Sequence, residues 1–262
     1  MKFPLRLSLD LLRSRMSRVL ASGGTAGSTI FHLSPAAFSS TNQKEIEAES
    51  DPAAAVMEIP AAVLSQTTAP VLWVGGEEPL QHPVIGRIAA ALNQAGRNVF
   101  LHTNGIRLRQ RIHEFRPDPR LFLTVGLAGR ETIHDQAVAQ PGAFRRVIEG
   151  IRAAKLSGFH VCAHVGVNLD TDGCETGELF EYLDNYGVDG YIVSSGGQAM
   201  DPAWRGKLQG QLEEIRSLVR CSRWEYFSSL LEASYLTRLM PDEKKSPLPI
   251  PSNESGTCEE SA

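Results

Sequence analysis

The chain has 262 residues, of which 42% are hydrophobic and 21% charged, and its formal net charge at pH 7 is −4. This length and balance predict one soluble globular domain, and the negative charge excludes a general attraction to nucleic acid. The four cysteines form no CxxC pair and no run of 18 apolar residues occurs, so we expect reduced thiols in the cytoplasm and no membrane span.

The first 20 residues predict a basic amphipathic helix, in which five basic residues stand against one acid, Asp10. Its apolar positions fall on one stripe: Leu5, Leu9, Leu12, Met16 and Val19. Such a helix docks on its own domain, lies on an anionic membrane surface, or acts as an organellar presequence, and Asp10 counts against the last. Residues 1–27, which end in a glycine-rich connector, form the first unit of the predicted domain order.

Residues 28–240 alternate between short apolar runs and helical patterns, which predicts an α/β fold with a mostly parallel sheet. Strands are expected at 29–33, 70–75, 98–103, 121–125, 159–167 and 190–194. Helices are expected near 59–66, 83–92, 105–115, 141–158, 178–185, 203–220 and 224–240. These units are too few for a closed eight-fold barrel, so we predict an open, partial barrel with its function at the carboxyl ends of the strands. By composition, residues 36–57 form a low-complexity loop and residues 241–262 a disordered tail.

The end of the second predicted strand carries the strongest local signal for a ligand. Its apolar run stops at Gly75 and Gly76, and Glu77, Glu78 and a proline follow. Glycines let a ligand approach the backbone, and a carboxylate beside them can hold an ammonium group. We therefore predict a ligand-binding turn; the alternative is a tight turn with two solvated acids.

The next strand ends in Asn104 and Gly105, which belong to the same predicted edge of the sheet. A second pattern concerns side chains that face the lumen of the predicted barrel. On the strand at 159–167, apolar residues alternate with His160, Cys162 and His164, which places these three on the lumen face. The same alternation places His102 of the third strand and His32 of the first strand on that face. Imidazoles and a thiol are zinc ligands, but a His-x-Cys-x-His strand spreads its side chains over about 13 Å. Hydrogen-bonded pocket histidines are the alternative to a metal site.

Two further polar pairs are ambiguous by sequence. His134 and Asp135 form either an acid–base pair or a structural turn, and the segment from Asp170 to Gly173 starts like a calcium loop but places its glycine too early. We interpret that segment as a polar turn.

Several motifs in register resemble the radical S-adenosylmethionine (radical SAM) superfamily over residues 70–240. They are GEEPLQHP at 76–83, LHTNG at 101–105, LAG at 127–129 with HD at 134–135, GAF at 142–144, GF at 158–159 and YGVDG at 186–190. Within the superfamily they are similar to the adenosyl hopene transferases of hopanoid biosynthesis. The resemblance implies a partial (β/α)6 barrel, a [4Fe–4S] cluster on a CxxxCxxC loop after the first strand, and a Gly-Gly-Glu-Pro turn that receives the methionine amino group.

The chain departs from this pattern at several family positions. No cysteine occurs before Cys162, and iron–sulfur clusters are held by thiolates. Glu77 stands where the family has its second glycine, Ala128 where it often has an aspartate, and His102 where the hopene group has a cysteine. These departures predict that the [4Fe–4S] cluster is lost and that no cofactor is bound, while binding of S-adenosylmethionine stays open.

The predicted function is that of a non-catalytic binding or accessory component linked to hopanoid or isoprenoid-lipid metabolism. Its expected partner is a cysteine-bearing radical SAM paralogue or a lipid-pathway enzyme, with peripheral membrane contact through residues 1–20. Gly75, Gly76, Glu78, Asn104 and Gly105 would bind the ligand, and His102, Cys162 and His164 would line the pocket. The alternatives are an enzyme that uses the His- and Cys-lined lumen, an active radical SAM enzyme whose cluster a partner supplies, and a product without activity.

Overall fold

The computed structural model describes residues 3–20, 29–34, 52–195 and 202–239, and all six predicted strands are present in these ranges. They form one parallel sheet in which each strand pairs with the next along the chain, and the sheet curls into a half-barrel. The strands are β1 (Ile30–Leu33), β2 (Val71–Val74), β3 (Asn98–Thr103), β4 (Leu121–Gly126), β5 (His160–Gly166) and β6 (Gly190–Ser194). The predicted partial barrel with a mostly parallel sheet is confirmed.

The described ranges contain nine α-helices, and most connect successive strands. They are α1 (Leu5–Leu20), α2 (Pro52–Gln66), α3 (Ile85–Gln94), α4 (Leu108–Arg111), α5 (Glu131–Ala137), α6 (Ala143–Leu156), α7 (Gly173–Asp184), α8 (Pro202–Ser217) and α9 (Ser222–Leu239). Short 3₁₀ helices lie at Pro79–Gln81 and Ile112–Glu114. No helix in the described ranges is long and apolar enough to cross a membrane.

Three helices differ from the sequence-based expectation. Helix α2 begins at Pro52, inside the stretch predicted as a loop, and proline is well tolerated in the first helical turn. Helix α7 begins at Gly173 because the Asp172 side chain accepts a hydrogen bond from the Glu175 N–H at 2.9 Å, which caps the helix. Helix α5 was not predicted. The remainder of the predicted loop, the glycine-rich connector at 22–28 and the predicted tail lie outside the described residues.

Aromatic side chains fill the lumen of the half-barrel towards the amino ends of the strands. Phe100 stacks on Phe122 with ring centroids 4.4 Å apart, and His160 stacks on the other side of Phe122 at 5.3 Å. Helix α9 covers this row, since Phe227 stacks on Phe100 at 4.6 Å and Trp224 meets Phe122 edge-on at 6.5 Å. This packing leaves the carboxyl ends of the strands as the place where polar lumen residues gather.

Helix α1 docks on the domain through a different face from the predicted apolar stripe. Leu7 and Leu11 are buried, and the carboxylate of Asp10 accepts a hydrogen bond of 2.9 Å from Asn98 at the start of β3. Phe3, just before the helix, packs edge-on against Trp224 at 4.7 Å. Docking on its own domain is therefore observed, while the leucines of the predicted stripe remain exposed.

Of the glycines that the structure describes, Gly190 at the start of β6 leaves the least space for a side chain, because α9 packs against it, and this gives a stability prediction. A Cβ atom on Gly190 would lie 2.2 Å from Trp224 Cε2, which is fully buried. We expect Gly190→Ala to lower the free energy of unfolding by about 2 kcal/mol, because the indole cannot move without disturbing the core. Chemical denaturation measures the change.

The matched control is Gly210→Ala on the exposed side of α8, where a Cβ would meet nothing within 4 Å. This variant should be neutral or more stable by up to about 1 kcal/mol, because alanine favours a helix interior. Equal stability of the wild type and Gly190→Ala would contradict the packing of α9 on β6.

Candidate functional site

The carboxylate of Glu78 joins the turn after β2 to the end of β3. Its Oε1 accepts hydrogen bonds from the Leu80 N–H at 2.9 Å and from the Thr103 hydroxyl at 2.6 Å. Its Oε2 accepts from the Asn104 N–H at 2.8 Å. An ionised carboxylate offers about four acceptor positions, so these three bonds leave one on Oε2. The group is therefore fixed in place and still has capacity for one more donor.

The backbone before Glu78 depends on glycine. Gly76 has a φ of +110°, a conformation that glycine adopts without steric penalty. A Cβ on Gly75 would lie 3.0 Å from Trp73 Nε1 and 3.3 Å from His102 Cβ. Glu77 and Gly76 are exposed, whereas Gly75 is buried. The turn thus has an exposed glycine at Gly76, and the exposed Glu77 follows it directly.

Asn104 and Gly105 form the neighbouring turn at the end of β3. The Asn104 side chain accepts a hydrogen bond from the Ile106 N–H at 3.0 Å, and the Gly105 N–H donates to the Thr103 hydroxyl oxygen at 3.0 Å. Gly105 has a φ of +74°, and a Cβ there would lie 2.8 Å from Val125. The predicted ligand-binding residues therefore lie at one edge of the sheet, and their role in binding stays a prediction.

Two lumen histidines form a hydrogen-bonded chain at the same end of the sheet. His102 Nε2 lies 3.0 Å from His164 Nδ1, and His164 Nε2 lies 2.8 Å from Ser194 Oγ. Trp73 stacks on His102 with ring centroids 5.4 Å apart and meets His164 edge-on at 5.5 Å. The sequence predicted both histidines in the lumen, and the structure brings them into contact.

Burial keeps both imidazoles neutral. It lowers the pKa of His102 from 6.5 to about 4, and burial together with the nearby His102 lowers the pKa of His164 well below 6.5. At pH 7 one ring nitrogen of each histidine is therefore a donor and the other an acceptor, as a continuous chain requires. Such a chain of neutral imidazoles can pass a proton along its hydrogen bonds.

The other lumen residues predicted for this site have different surroundings. His32 Nε2 lies 2.7 Å from the Ser234 hydroxyl of α9, and its ring meets that of Tyr235 at a tilted angle with centroids 4.5 Å apart. Cys162 is fully buried, and burial raises the pKa of its thiol, so it stays protonated. Within the part of the chain that the structure describes, no group of three or more His, Cys, Asp or Glu side chains could hold a metal ion. Of the predicted lumen histidines, His102 and His164 are hydrogen-bonded to each other.

His134 and Asp135 are structural. Asp135 accepts hydrogen bonds from the N–H groups of Gly142 at 2.5 Å and Phe144 at 2.8 Å, which caps the start of α6. The bond from Phe144 is the main reason that the pKa of Asp135 is lowered. His134 is buried, and its Nδ1 accepts from the Ala128 N–H at 3.3 Å. The structural interpretation of this pair is the one that the geometry supports.

Sequence reasoning missed three residues of the site: Trp73, Thr103 and Ser194. Trp73 had a usable signal, since strand alternation places it on the lumen face two positions before Gly75. Thr103 and Ser194 had none, because each meets its partner only across neighbouring strands.

Comparison with known proteins identifies the family. Residues 37–183 match the family model described as the radical SAM superfamily. The AdoMet-dependent heme synthase of Methanosarcina barkeri (strain Fusaro / DSM 804) is 33% identical over 130 residues, which cover 47% of this chain and 36% of that protein. The match thus spans little more than a third of that relative's length.

Solved structures with a similar fold include two proteins of low sequence identity to this chain. Streptococcus suis SuiB bound to S-adenosylmethionine has a TM-score of 0.47 and 11% identity, covering 66% of this chain and 43% of its own. Archaeal TYW1 has a TM-score of 0.44 and 15% identity, covering 67% of each chain.

The family match overturns the prediction that the chain has no cofactor. Radical SAM proteins bind S-adenosylmethionine and typically a [4Fe–4S] cluster, so these are the cofactors that the family indicates. Glu78 fits the methionine end of S-adenosylmethionine. Its half-buried carboxylate has an open acceptor position, which suits an ammonium group.

The described cysteines do not fit the cluster. Cys162 is buried in the lumen, Cys174 is exposed at the start of α7, and Cys221 lies half-buried between α8 and α9. A cluster needs several thiolates at one place, and the sequence contains no cysteine before Cys162. No reaction step through a cluster follows from the residues of this chain.

The parallel half-barrel, the glycine turn with its fixed carboxylate and a family model that matches more than half of the residues lead to one conclusion. This chain belongs to the radical SAM superfamily.

Proposed function

We propose that the chain binds S-adenosylmethionine at the carboxyl edge of its sheet, with the methionine ammonium group at Glu78. The observation that carries this proposal is the carboxylate held by Leu80, Thr103 and Asn104, which keeps one acceptor position on Oε2. A charge-assisted hydrogen bond to an ammonium group is stronger than one between neutral groups. Because the carboxylate is already fixed, binding loses little side-chain entropy.

Three further features support this ligand. Gly76 is exposed and carries no side chain, which gives the methionine end room to approach beside the carboxylate. The curated relative is named as dependent on S-adenosylmethionine, and its match covers nearly half of this chain. Glu77 adds a second carboxylate beside the first, which would also attract the cationic ligand.

The proposal extends to a partner. The family indicates a [4Fe–4S] cluster, and the three cysteines that the structure describes do not come together to hold one. We propose that a cysteine-bearing radical SAM protein supplies the thiolates and that this chain acts as its S-adenosylmethionine-binding accessory component. The motif resemblance to adenosyl hopene transferases favours a partner in hopanoid or isoprenoid-lipid metabolism.

A second candidate is acid–base chemistry in the lumen. The chain from His102 through His164 to Ser194 favours it, because two neutral imidazoles in contact can relay a proton. His102 is the member nearest to the glycine turn, where a Cβ on Gly75 would lie 3.3 Å from its Cβ. A substrate bound at that turn would therefore lie beside the relay.

The charge of Glu78 gives the first test of the proposed function. Titration calorimetry with S-adenosylmethionine should show binding to the wild type, and Glu78→Gln should weaken it roughly tenfold or more, because the ammonium loses its charged acceptor. Glu149→Gln is the matched control, since this carboxylate lies on the outer surface of α6 in an exposed ion pair with Arg109. Circular dichroism at the titration temperature verifies that each variant is folded.

Two results would contradict the binding proposal. One is the absence of heat for the wild type at millimolar S-adenosylmethionine, and the other is equal affinity for the wild type and Glu78→Gln.

The partner is tested by anaerobic isolation of the tagged chain from its source cells. We expect a cysteine-bearing radical SAM protein to co-purify and the complex to contain iron and sulfide in the ratio of a [4Fe–4S] cluster, because the partner brings the thiolates. Mass spectrometry and iron analysis measure both. Iron at full cluster content in the chain without any partner would disprove the shared-cluster part of the proposal and leave ligand binding untouched.

The neutral histidines predict a dependence of stability on pH. The pKa of His102 is about 4 in the folded chain and about 6.5 when unfolded, so the unfolded state binds more protons below pH 6.5. The free energy of unfolding should fall by about 2 kcal/mol more in the wild type than in His102→Gln between pH 7 and pH 5. Urea unfolding at the two pH values measures this difference.

The exposed His113 provides the control, because His113→Gln makes the same chemical change at the surface. This variant should follow the wild type. If His102→Gln follows it as well, the imidazole is not held neutral and the relay is not as described.

A further inference from the structure

Helix α1 has two apolar faces, and the domain uses only one of them. Leu7 and Leu11 are buried against the domain, with relative exposures of 0% and 8%. Leu5, Leu9, Leu12 and Met16 are exposed by 69%, 45%, 55% and 62%. Their spacing of four, three and four residues places them on one line along the helix, opposite the docked face. An exposed line of four large apolar side chains indicates an interaction surface.

Positive charge borders this line. Arg6 and Arg13 lie along one side of it and Arg15 along the other, by the helical spacing of 100° per residue. All three are exposed, and no ion pair involves them within the described residues. The only acid of the helix, Asp10, faces inward and binds Asn98 at 2.9 Å. The outer face is therefore apolar along its centre and cationic along both edges.

An apolar cavity opens beside the same line, between α1 and α9. It has a volume of about 200 Å³, and its walls include Phe3, Leu11, Leu12 and Tyr226. Arg15 and Arg223 also line it, and Arg223 lies 3.5 Å from the Ser8 hydroxyl. Apolar walls with two guanidinium groups match an acyl segment below an anionic headgroup.

We propose that the outer face of α1, together with this cavity, binds the surface of an anionic lipid bilayer. The apolar line would insert among the acyl chains near the headgroups, while the arginines contact lipid phosphates. A bilayer fits better than a protein partner of matching shape, because cations on both edges of an apolar line suit a broad anionic plane. The docked face would keep the domain attached while the outer face lies in the membrane.

Vesicle flotation of the full chain tests this surface. The wild type should float with vesicles of phosphatidylcholine and phosphatidylglycerol and stay behind with phosphatidylcholine alone, and added salt should weaken flotation. Leu9→Gln/Leu12→Gln should lower the partition coefficient by roughly tenfold or more, because two inserted side chains are lost. Leu156→Gln is the control, since Leu156 is 80% exposed at the end of α6 and lies on another element.

The arginines need a separate comparison. Arg13→Gln/Arg15→Gln should remove the preference for anionic vesicles, whereas Arg152→Gln on the exposed side of α6 should not. Circular dichroism verifies folding, which should be intact because Leu7 and Leu11 are unchanged.

Three outcomes would overturn the proposal. The wild type fails to float with anionic vesicles at low salt, or Leu156→Gln weakens flotation as much as the double leucine variant. The third is sedimentation velocity that shows a dimer abolished by Leu9→Gln/Leu12→Gln without any flotation, which would make this face an interface between copies of the chain.

Discussion

The candidate site depends on one carboxylate that joins the ends of two neighbouring strands. Glu78 accepts from Leu80 within its own turn and from Thr103 and Asn104 at the end of β3. Beyond the last ladder hydrogen bonds the segments after β2 and β3 diverge into separate turns, and the Glu78 side chain links these two turns. A fixed anion beside an uncovered glycine backbone is the consequence, and any cationic ligand at this edge meets a prepared acceptor.

The packing of the lumen explains why its polar side chains lie at the carboxyl edge of the sheet. Towards the amino ends of the strands, Phe100, Phe122 and His160 stack in a row, and α9 covers them with Trp224 and Phe227. Towards the carboxyl ends, the aromatic row gives way to His102, His164 and Ser194, which form a continuous hydrogen-bonded chain, and Trp73 stacks on His102. The lumen is thus aromatic towards the amino ends of the strands and polar towards their carboxyl ends.

Helix α1 has one face that packs on the domain and an opposite apolar face that is exposed. Its buried face adds Leu7 and Leu11 to the core and ties Asp10 to the start of β3. Its outer face carries leucines and arginines that contribute nothing to that core. A helix that needed only to dock would not gain from a second apolar line, since exposed leucines in water add no stability. The proposed lipid surface accounts for residues that the fold itself does not require.

Local patterns in the sequence determined the six strands, their parallel order, most of the helices and the glycine turn at Gly75 and Gly76. These features depend on neighbours within a few residues, through alternation, helical spacing and turn chemistry. The tertiary structure decided which distant atoms meet: Glu78 with Thr103 and Asn104, and His102 with His164 rather than with His32. It also decided that the leucine stripe of α1 faces outward. Those outcomes depend on how the sheet curls and how α1 and α9 pack against it, and such long-range packing leaves no periodic signal in the chain.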